Sequence, residues 1–260
     1  MRMTGAEMVV KTLEKNGVKV VFGYPGAANC PIIDKLSFSS IKHILTRNEQ
    51  GAAHMASGYA RVTKQAGVCT ATSGPGATNL ITGIATAYMD SIPMVALTGQ
   101  VATKLIGKDA FQEVDITGAT LPFTKHSYLI KDGLDIPRVV NEAFHIANTG
   151  RPGPVLIDFP MDLLKKEFDY PDEDEDVNIR GYKLMGKANE SQVKKVAEAI
   201  KGAKKPVILA GGGVVISDAT NEFRKFVKET DIPVVSTNHK IGGKLAAEEL
   251  VRNNCRCVLQ

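Results

Sequence analysis

Glu49 is the first residue of the sequence whose surroundings suggest chemistry. It stands in RNEQGAAHMASGYA (47–60), which follows the apolar stretch IKHIL (41–45). This order predicts a strand that ends just before an alanine-rich helix, with Asn48 as the helix cap and Glu49 in the first turn. A carboxylate there is usually only a stabilising charge at a helix terminus. The spacing alone does not make Glu49 a catalytic residue.

The segment TSGPGATN (72–79) places two glycines around Pro75 at a strand-to-helix turn. Glycines at such a turn indicate that the backbone passes close to another group. The segment is not a phosphate-binding P-loop, because no Gly-Lys-Ser/Thr follows it. It is not a full dinucleotide fingerprint either, because Asn79 stands at the third glycine position. A tight turn that caps the next helix explains it equally well.

A third candidate is the run Gly211, Gly212 and Gly213, which we predict to end a buried strand. Such a run allows close approach of a nucleotide or flavin phosphate, and it is equally well explained as a permissive turn. The five histidines show no paired metal-ligand spacing, and the nucleophile motif Gly-x-Ser-x-Gly is absent.

The elements that must position these residues alternate between apolar β-branched runs and helical periodicity. Strands are predicted at 19–25, 67–76, 92–100, 126–130 and 153–160, and helices at 51–64, 79–90 and 137–150. This alternation predicts an α/β fold with a parallel sheet covered by helices on both faces. Ligands of such sheets bind at the carboxyl ends of the strands, where the glycine loops fall.

The pattern divides the chain into two domains. Residues 1–165 form the first, residues 166–189 are predicted as a solvated acidic linker, and residues 190–260 begin a second α/β pattern. That pattern has a helix at 190–203, a strand at 206–215, a helix at 219–230 and a strand at 232–237. These are too few strands for an independent sheet, so we expect the second domain to be incomplete.

Composition narrows the class of protein. With 43% apolar and 23% charged residues among 260, the chain is typical of a globular protein. No apolar run is long enough for a membrane span, and the N-terminus lacks a signal-peptide core, which predicts a cytoplasmic protein without a membrane partner. The net charge of +4 is spread out, which argues against a nucleic-acid partner. The four cysteines do not suggest a disulfide framework.

Taken together, the segments resemble a known family. FGYPGAANCPIID, RNEQGAAHMASGYAR, TSGPGATN, IPMVALTGQVAT, DAFQE and GRPGPVLIDFP occur in the order found in the large catalytic subunits of acetolactate synthase. These enzymes use thiamine diphosphate (ThDP, also called thiamine pyrophosphate). The resemblance implies a ThDP pyrimidine-binding domain followed by a partial Rossmann-like, FAD-binding central domain.

The resemblance also implies site residues. Glu49 falls on the family's activating glutamate, which bonds to the aminopyrimidine of ThDP so that this ring can remove the thiazolium C2 proton. Phe111 and Gln112 would lie near the reacting carbon. The remaining implied contacts are Gly26, Pro75 and Asn79 for ThDP, and Arg151, Gly211, Gly212, Gly213 and Thr237 for FAD.

The implied reaction is decarboxylation of pyruvate and its condensation with a second pyruvate or with 2-oxobutanoate. This reaction is the first step of branched-chain amino acid (valine, leucine and isoleucine) biosynthesis. The family also implies Mg²⁺, a homodimer and a small regulatory subunit. The Gly-Asp-Gly motif that binds Mg²⁺ does not occur in this sequence. We therefore expect a C-terminally truncated chain that is inactive alone and contains no Mg²⁺ ligands.

Three residues depart from the family pattern. Asn48 replaces the usual histidine before the glutamate, Ala27 replaces a second glycine, and Met161 replaces a lysine. Two other functions stay open from the sequence: another ThDP-dependent 2-oxoacid decarboxylase or oxidase, and a non-catalytic nucleotide-binding module. Phe111, Gln112 and Glu113, together with GQVAT, favour the synthase.

Overall fold

The computed structural model describes residues 2–170, 177–184 and 186–236. The chain separates into two compact units, Met1–Met185 and Gly186–Gln260. Cys255, Cys257 and Thr237 lie outside the described residues. Among those described, Cys30 and Cys69 are free thiols, exposed and buried respectively.

The first unit contains eight strands and eight α-helices in its described part. The strands are β1 (Arg2–Thr4), β2 (Val20–Gly23), β3 (Lys42–Leu45), β4 (Gly67–Ala71), β5 (Met94–Gln100), β6 (His126–Leu129), β7 (Pro154–Pro160) and β8 (Glu167–Asp169). The helices are α1 (Gly5–Lys15), α2 (Cys30–Leu36), α3 (Glu49–Thr63), α4 (Pro75–Asn79), α5 (Ile81–Met89), α6 (Ile116–Thr120), α7 (Ile136–Asn148) and α8 (Met161–Lys165).

Six of these strands form a parallel sheet in the order β3-β2-β4-β5-β7-β6. Every residue of β4, β5 and β7 is buried, as expected for central strands covered on both faces. One apolar core includes residues of α1, α2 and α7, and the other includes residues of α3, α4 and α5. The predicted parallel α/β sheet is confirmed.

Helix α3 begins as the sequence predicts. The Asn48 side chain accepts hydrogen bonds from the Gln50 and Gly51 amides at 2.7 and 3.4 Å, so Asn48 caps the helix. On its inner face, alanines at 52, 53, 56 and 60 let the helix lie close to the sheet. The closest approach is at Gly67, where a β-carbon would stand 2.0 Å from the Ala56 carbonyl oxygen.

Strands β1 and β8 form a separate antiparallel pair, with Met3 opposite Phe168. Phe168 and Tyr170 are buried in the first unit's core. The first unit therefore includes residues that the sequence predicts as linker.

The second unit contains α9 (Glu190–Gly202), β9 (Ile208–Ala210), α10 (Gly213–Ile216), α11 (Thr220–Thr230) and β10 (Val234–Ser236) in its described part. Strands β9 and β10 pair in parallel. The predicted strand at 206–215 is wrong beyond Ala210, because the chain turns through the glycines into the short helix α10. Leu209 is 72% exposed, so β9 is not a buried strand either.

No helix in the described part of the chain combines the length and apolar character needed to cross a membrane.

Candidate functional site

The candidate site lies at the carboxyl edge of the parallel sheet. The loop after β3 leads to Glu49, the loop after β2 contains Gly26, and the loop after β4 leads to Pro75. These three strands are neighbours, with Gly23 of β2 paired to both Leu45 and Thr70. Parallel neighbours end at the same edge, so three loops far apart in sequence meet there.

Glu49 is the carboxylate at this edge, and it follows β3, an outermost strand of the sheet. It is half-buried at the start of α3, where the helix dipole favours a negative charge. Asn79 Nδ2 donates a hydrogen bond of 3.0 Å to Glu49 Oε2. The structure thus brings together two predicted site residues that lie 30 positions apart.

On one side of Glu49, the neighbouring turn has room only for glycine. A β-carbon at Gly76 would lie 3.3 Å from Glu49 Oε1 and 2.7 Å from Thr72 Cγ2. A β-carbon at Gly26 would meet the same threonine, at 2.5 Å from its Cβ. Thr72 Oγ1 also accepts a hydrogen bond of 3.2 Å from the Ala28 amide. Thr72 therefore joins the two glycine loops.

Sequence reasoning missed Thr72 as a site residue. It stands inside the quoted TSGPGATN segment, but nothing in that segment indicates that its side chain faces Gly26. The contact depends on the pairing of β2 with β4, which only the fold provides.

Pro75 begins α4 directly after Gly74. Gly74 has φ +63° and ψ −125°, a conformation that a side chain would disfavour. Pro75 itself is exposed, with its fixed φ suited to the first helical position. The turn that the sequence predicts at this point is confirmed.

Phe111 and Gln112 lie on the loop that follows β5. A β-carbon at Gly74 would stand 2.7 Å from the Gln112 carbonyl oxygen, so the two backbones are in direct contact. Gln112 has φ +59°, a left-handed conformation that is uncommon for a residue with a side chain. The neighbouring Phe111 is 88% exposed, which leaves a large apolar ring at the surface beside the site.

Glu113 closes a turn within this loop. Its carboxylate accepts hydrogen bonds from the Ala110 amide at 2.8 Å and from the Gly107 amide. These backbone bonds lower the pKa of Glu113. Glu113 therefore stabilises the loop around Phe111 and Gln112.

A buried polar cluster behind the loop was also missed by sequence reasoning. Asp158 on β7 is 1% exposed and accepts hydrogen bonds from Thr98 Oγ1 at 2.7 Å and Gln100 Nε2 at 2.8 Å. Burial raises the pKa of Asp158 to about 7. The available signal was a carboxylate inside the apolar run GPVLIDFP, since a buried charge needs polar partners.

Met161, which departs from the family pattern, begins helix α8. Beside Met161, the Asp162 carboxylate accepts hydrogen bonds from Thr103 N at 2.9 Å and Thr103 Oγ1 at 2.6 Å. Burial acts to raise the pKa of Asp162, but hydrogen bonds from Thr103 and from the backbone at the start of α8 together outweigh it, and the pKa is lowered. Asp162 therefore ties the segment after β5 to the end of β7.

The residues predicted to contact FAD lie far from Glu49 in the sequence. The hydrogen bonds of Arg151 also do not involve Glu49 or its neighbours at the site. Arg151 donates hydrogen bonds to Ser91 Oγ at 2.7 Å and to the Met89 carbonyl at 3.2 Å. Gly211, Gly212 and Gly213 lie in the second unit. Among the residues that the structure describes, and leaving out each glycine's own chain neighbours, no atom stands within 4 Å of a β-carbon at any of them. Thr237 lies outside the described residues.

Metal ligands are not assembled in the part of the chain that the structure describes. No group of three or more histidine, cysteine, aspartate or glutamate side chains there could hold a metal ion.

Known proteins resemble this chain along most of its length. Residues 3–119 match the N-terminal TPP binding domain of thiamine pyrophosphate enzymes, and residues 193–249 match the central domain of the same enzymes. The chain belongs to the thiamine pyrophosphate enzyme family.

Relatives of the chain within this family are named as acetolactate synthases. The acetolactate synthase of Mycobacterium bovis is 53% identical over 239 residues, which are 91% of this chain and 38% of that protein. A probable large subunit from Methanocaldococcus jannaschii is 54% identical over 238 residues (90% and 40%). The large subunit from Corynebacterium glutamicum is 49% identical over 252 residues (96% and 40%).

The resemblance to acetolactate synthase large subunits is therefore confirmed. The chain spans about two fifths of the length of these curated relatives.

Proposed function

We propose that this chain supplies the aminopyrimidine half of a ThDP site in an enzyme of the acetolactate synthase type. The observation that carries the proposal is the placement of Glu49. Its carboxylate is held by the Asn79 amide and faces Gly76, at the edge where parallel sheets bind ligands. The names of the relatives and the matched domains support the same proposal.

The residues fit the cofactor's chemistry. ThDP, when bound, supplies a thiazolium carbon that adds to a 2-oxoacid and accommodates the charge left when carbon dioxide departs. Glu49 would accept a hydrogen bond from the aminopyrimidine and hold a proton at its carboxylate. Asn79 fixes the orientation of the carboxylate, because its amide binds Oε2 and leaves Oε1 turned toward Gly76.

The glycines of the two loops pack against one side chain. At Gly26 and Gly76 a β-carbon would collide with the Thr72 side chain, so glycine is required at both positions by the packing of the two loops around Thr72. Ala27, which departs from the family pattern, is exposed.

The substrates in this proposal are pyruvate and a second 2-oxoacid, pyruvate or 2-oxobutanoate. Branched-chain amino acid biosynthesis, Mg²⁺, a homodimer, a small regulatory subunit and a cytoplasmic location belong to the proposal through the resemblance alone. FAD also belongs to it, through Gly211, Gly212, Gly213 and Thr237. The hydrogen bonds of Arg151 inside the first unit do not support its assignment to FAD.

Glu49→Gln tests the proposal, with Glu190→Gln as a matched control. Glu190 also begins a helix behind an asparagine cap, Asn189, but it is exposed. We expect Glu49→Gln to weaken ThDP binding about tenfold or more, because a charge-assisted acceptor is worth about 1.5–3 kcal/mol. The control variant should bind ThDP as the unmodified chain does.

Isothermal titration calorimetry of the purified chain with ThDP and Mg²⁺ measures both variants. Equal affinities for the two variants, or a chain that binds FAD and ignores ThDP, would contradict the proposal. The purified chain alone is also predicted to form no acetolactate from pyruvate with ThDP, Mg²⁺ and FAD. A colorimetric acetolactate assay checks this prediction, and measurable product would show it to be wrong.

A further inference from the structure

The segment of residues 101–114, which we call the Gln112 loop, is held at both ends by one side chain. Gln100 Oε1 accepts a hydrogen bond of 2.9 Å from the Val101 amide, where the loop begins. Gln100 Nε2 donates a hydrogen bond of 2.9 Å to the Val114 carbonyl, where the loop ends. The single amide of Gln100 thus fixes the distance between the two ends of the loop.

The Gln112 loop packs against the glycine turn beside Glu49. Between its ends, the Gln112 backbone lies against Gly74, and Gly76 lies against Glu49. The left-handed conformation of Gln112 persists only where the surrounding structure imposes it. The position of Gln112 relative to Glu49 therefore depends on contacts that Gln100 keeps in place.

Asp158 determines which way the Gln100 amide points. Gln100 Nε2 donates its second hydrogen bond to Asp158 Oδ2 at 2.8 Å. A flipped amide would set the Gln100 oxygen against both this carboxylate and the Val114 carbonyl, leaving acceptors facing acceptors. It would also set an NH₂ group against the Val101 amide. The carboxylate therefore allows only the orientation that joins both ends of the loop.

Thr98 fixes the carboxylate in turn. Its hydroxyl donates to Asp158 Oδ1 at 2.7 Å, and Thr98 and Gln100 lie on the same strand, β5, beside β7. This series of hydrogen bonds joins Thr98 to Asp158, Asp158 to Gln100, and Gln100 to the two ends of the loop. Within the series, Thr98 bonds only to Asp158.

We propose that Asp158 is a positioning residue for the active site: by orienting the Gln100 amide, it holds the Gln112 loop against the glycine turn beside Glu49. The importance of the loop for catalysis rests on the proposed function. The structural part of the inference, that Asp158 and Gln100 hold the loop, can be tested without ThDP.

Two variants on the same strand separate a positioning role from a general contribution to stability. Gln100→Met and Thr98→Val each replace a buried residue, and each removes one hydrogen bond to Asp158. Only Gln100→Met also removes the bonds to Val101 and Val114. Both variants should unfold more readily, but only Gln100→Met should release the loop.

Hydrogen–deuterium exchange of the 260-residue chain measures this release. We expect the amides of Val101 and of residues 111–114 to exchange about tenfold faster or more in Gln100→Met, and within about twofold of the unmodified chain in Thr98→Val. The amides of Thr103, Gly107 and Ala110 are left out of the comparison, because they donate to Asp162 and Glu113. Exchange in β3, an outermost strand of the sheet and three strands away from β5, serves as the internal reference. An unchanged loop in Gln100→Met, or equal acceleration in Thr98→Val, would overturn the proposal.

Two variants of Asp158 complete the test. Asp158→Asn should keep the loop protected, because the new amide can accept from Gln100 and donate to the Thr98 hydroxyl. If Gln100→Met does not fold, the double variant Asp158→Leu/Gln100→Met replaces both partners with apolar groups and so avoids an unpaired buried charge. That variant should fold, and the amides of its Gln112 loop should exchange faster than those of the unmodified chain. A protected loop in it would overturn the proposal.

Calorimetry with ThDP on the same samples distinguishes the two proposals. Absence of ThDP binding in the unmodified chain would contradict the proposed function and would leave the exchange result for the loop intact. Normal ThDP binding together with an unchanged loop in Gln100→Met would contradict only the role of Asp158.

Discussion

Two helices of this chain begin with the same two residues but in very different surroundings. Asn48 caps α3 and Asn189 caps α9, and each cap is followed by a glutamate in the first turn. Glu190 is exposed, whereas Glu49 is half-buried, hydrogen-bonded by Asn79 and placed against Gly76. The difference teaches that the local sequence builds the helix terminus and that distant residues turn one such terminus into a candidate site.

The glycine turns of the two units differ in the same way. In the first unit, a side chain at Gly74 or Gly76 would collide with the Gln112 backbone or with Thr72. In the second unit, Gly211, Gly212 and Gly213 have open space around them within the described structure. The first pair of glycines is required by the chain's own packing. The described contacts impose no such requirement on the second run.

The largest expected effect is a pH dependence of the stability of the first unit, which contains the buried carboxylate of Asp158. Burial raises the folded-state pKa of Asp158 from 3.8 to about 7. The stability linked to this group is therefore fully present below its unfolded pKa and is lost as the pH rises through about 7. Between pH 4 and pH 8, the loss should reach about 4 kcal/mol, since one pKa unit corresponds to about 1.4 kcal/mol.

Urea denaturation of the chain and of Asp158→Asn at several pH values measures this loss. The difference in unfolding free energy, unmodified minus variant, should fall as the pH rises from 4 to 8, because the asparagine does not titrate. A difference that is independent of pH would show that the carboxylate does not titrate in this range. Taking the difference removes the contributions of Glu7, Glu14 and Asp115, whose lowered pKa values act in the opposite direction.

A smaller effect is expected from alanine at the two glycine turns. Gly76→Ala should destabilise the first unit by about 1–3 kcal/mol, since overpacking forces Thr72 or the backbone to move. Gly212→Ala should change stability by less than about 0.5 kcal/mol, as is usual at an open surface position. Thermal unfolding followed by circular dichroism measures both. Equal destabilisation would remove the contrast between the two turns.

The smallest effect is expected at the helix caps, and there the two units should agree. Asn48→Ala and Asn189→Ala should each cost about 1 kcal/mol, because each removes a side-chain acceptor for two backbone amides. The same denaturation measurements check this prediction. A much larger cost for Asn48 would show that it has a further role in the site, and would link that role to its replacement of the family's histidine.

The sequence predicts the local features of the site and the order of its elements. Asn48 and the Pro75 turn follow from residue types that favour a cap and a first helical position. The pairing of Asn79 with Glu49 and the contact of Thr72 with Gly26 depend on strand register. Register is a property of the whole sheet, so a segment read alone does not contain it.

Two further features escape sequence reasoning for different physical reasons. Asp158 and Gln100 stand in apolar runs that predict strands, and a run does not reveal that its polar residues meet on neighbouring strands. The run Val214, Val215 and Ile216 favours a strand by propensity, but the chain turns at the glycines and continues as α10. β-propensity depends strongly on context, so the short run did not determine its own structure.

The antiparallel pair β1 and β8 has a consequence for the architecture of the first unit. Arg2 stands opposite Asp169, so the start of the unit is hydrogen-bonded to a strand that lies far along the chain, after β7 and α8. The chain continues within the same unit beyond this pair. A truncation that begins after Thr4 would therefore leave the backbone groups of β8 without their strand partner, because among the described strands β1 and β8 pair only with each other.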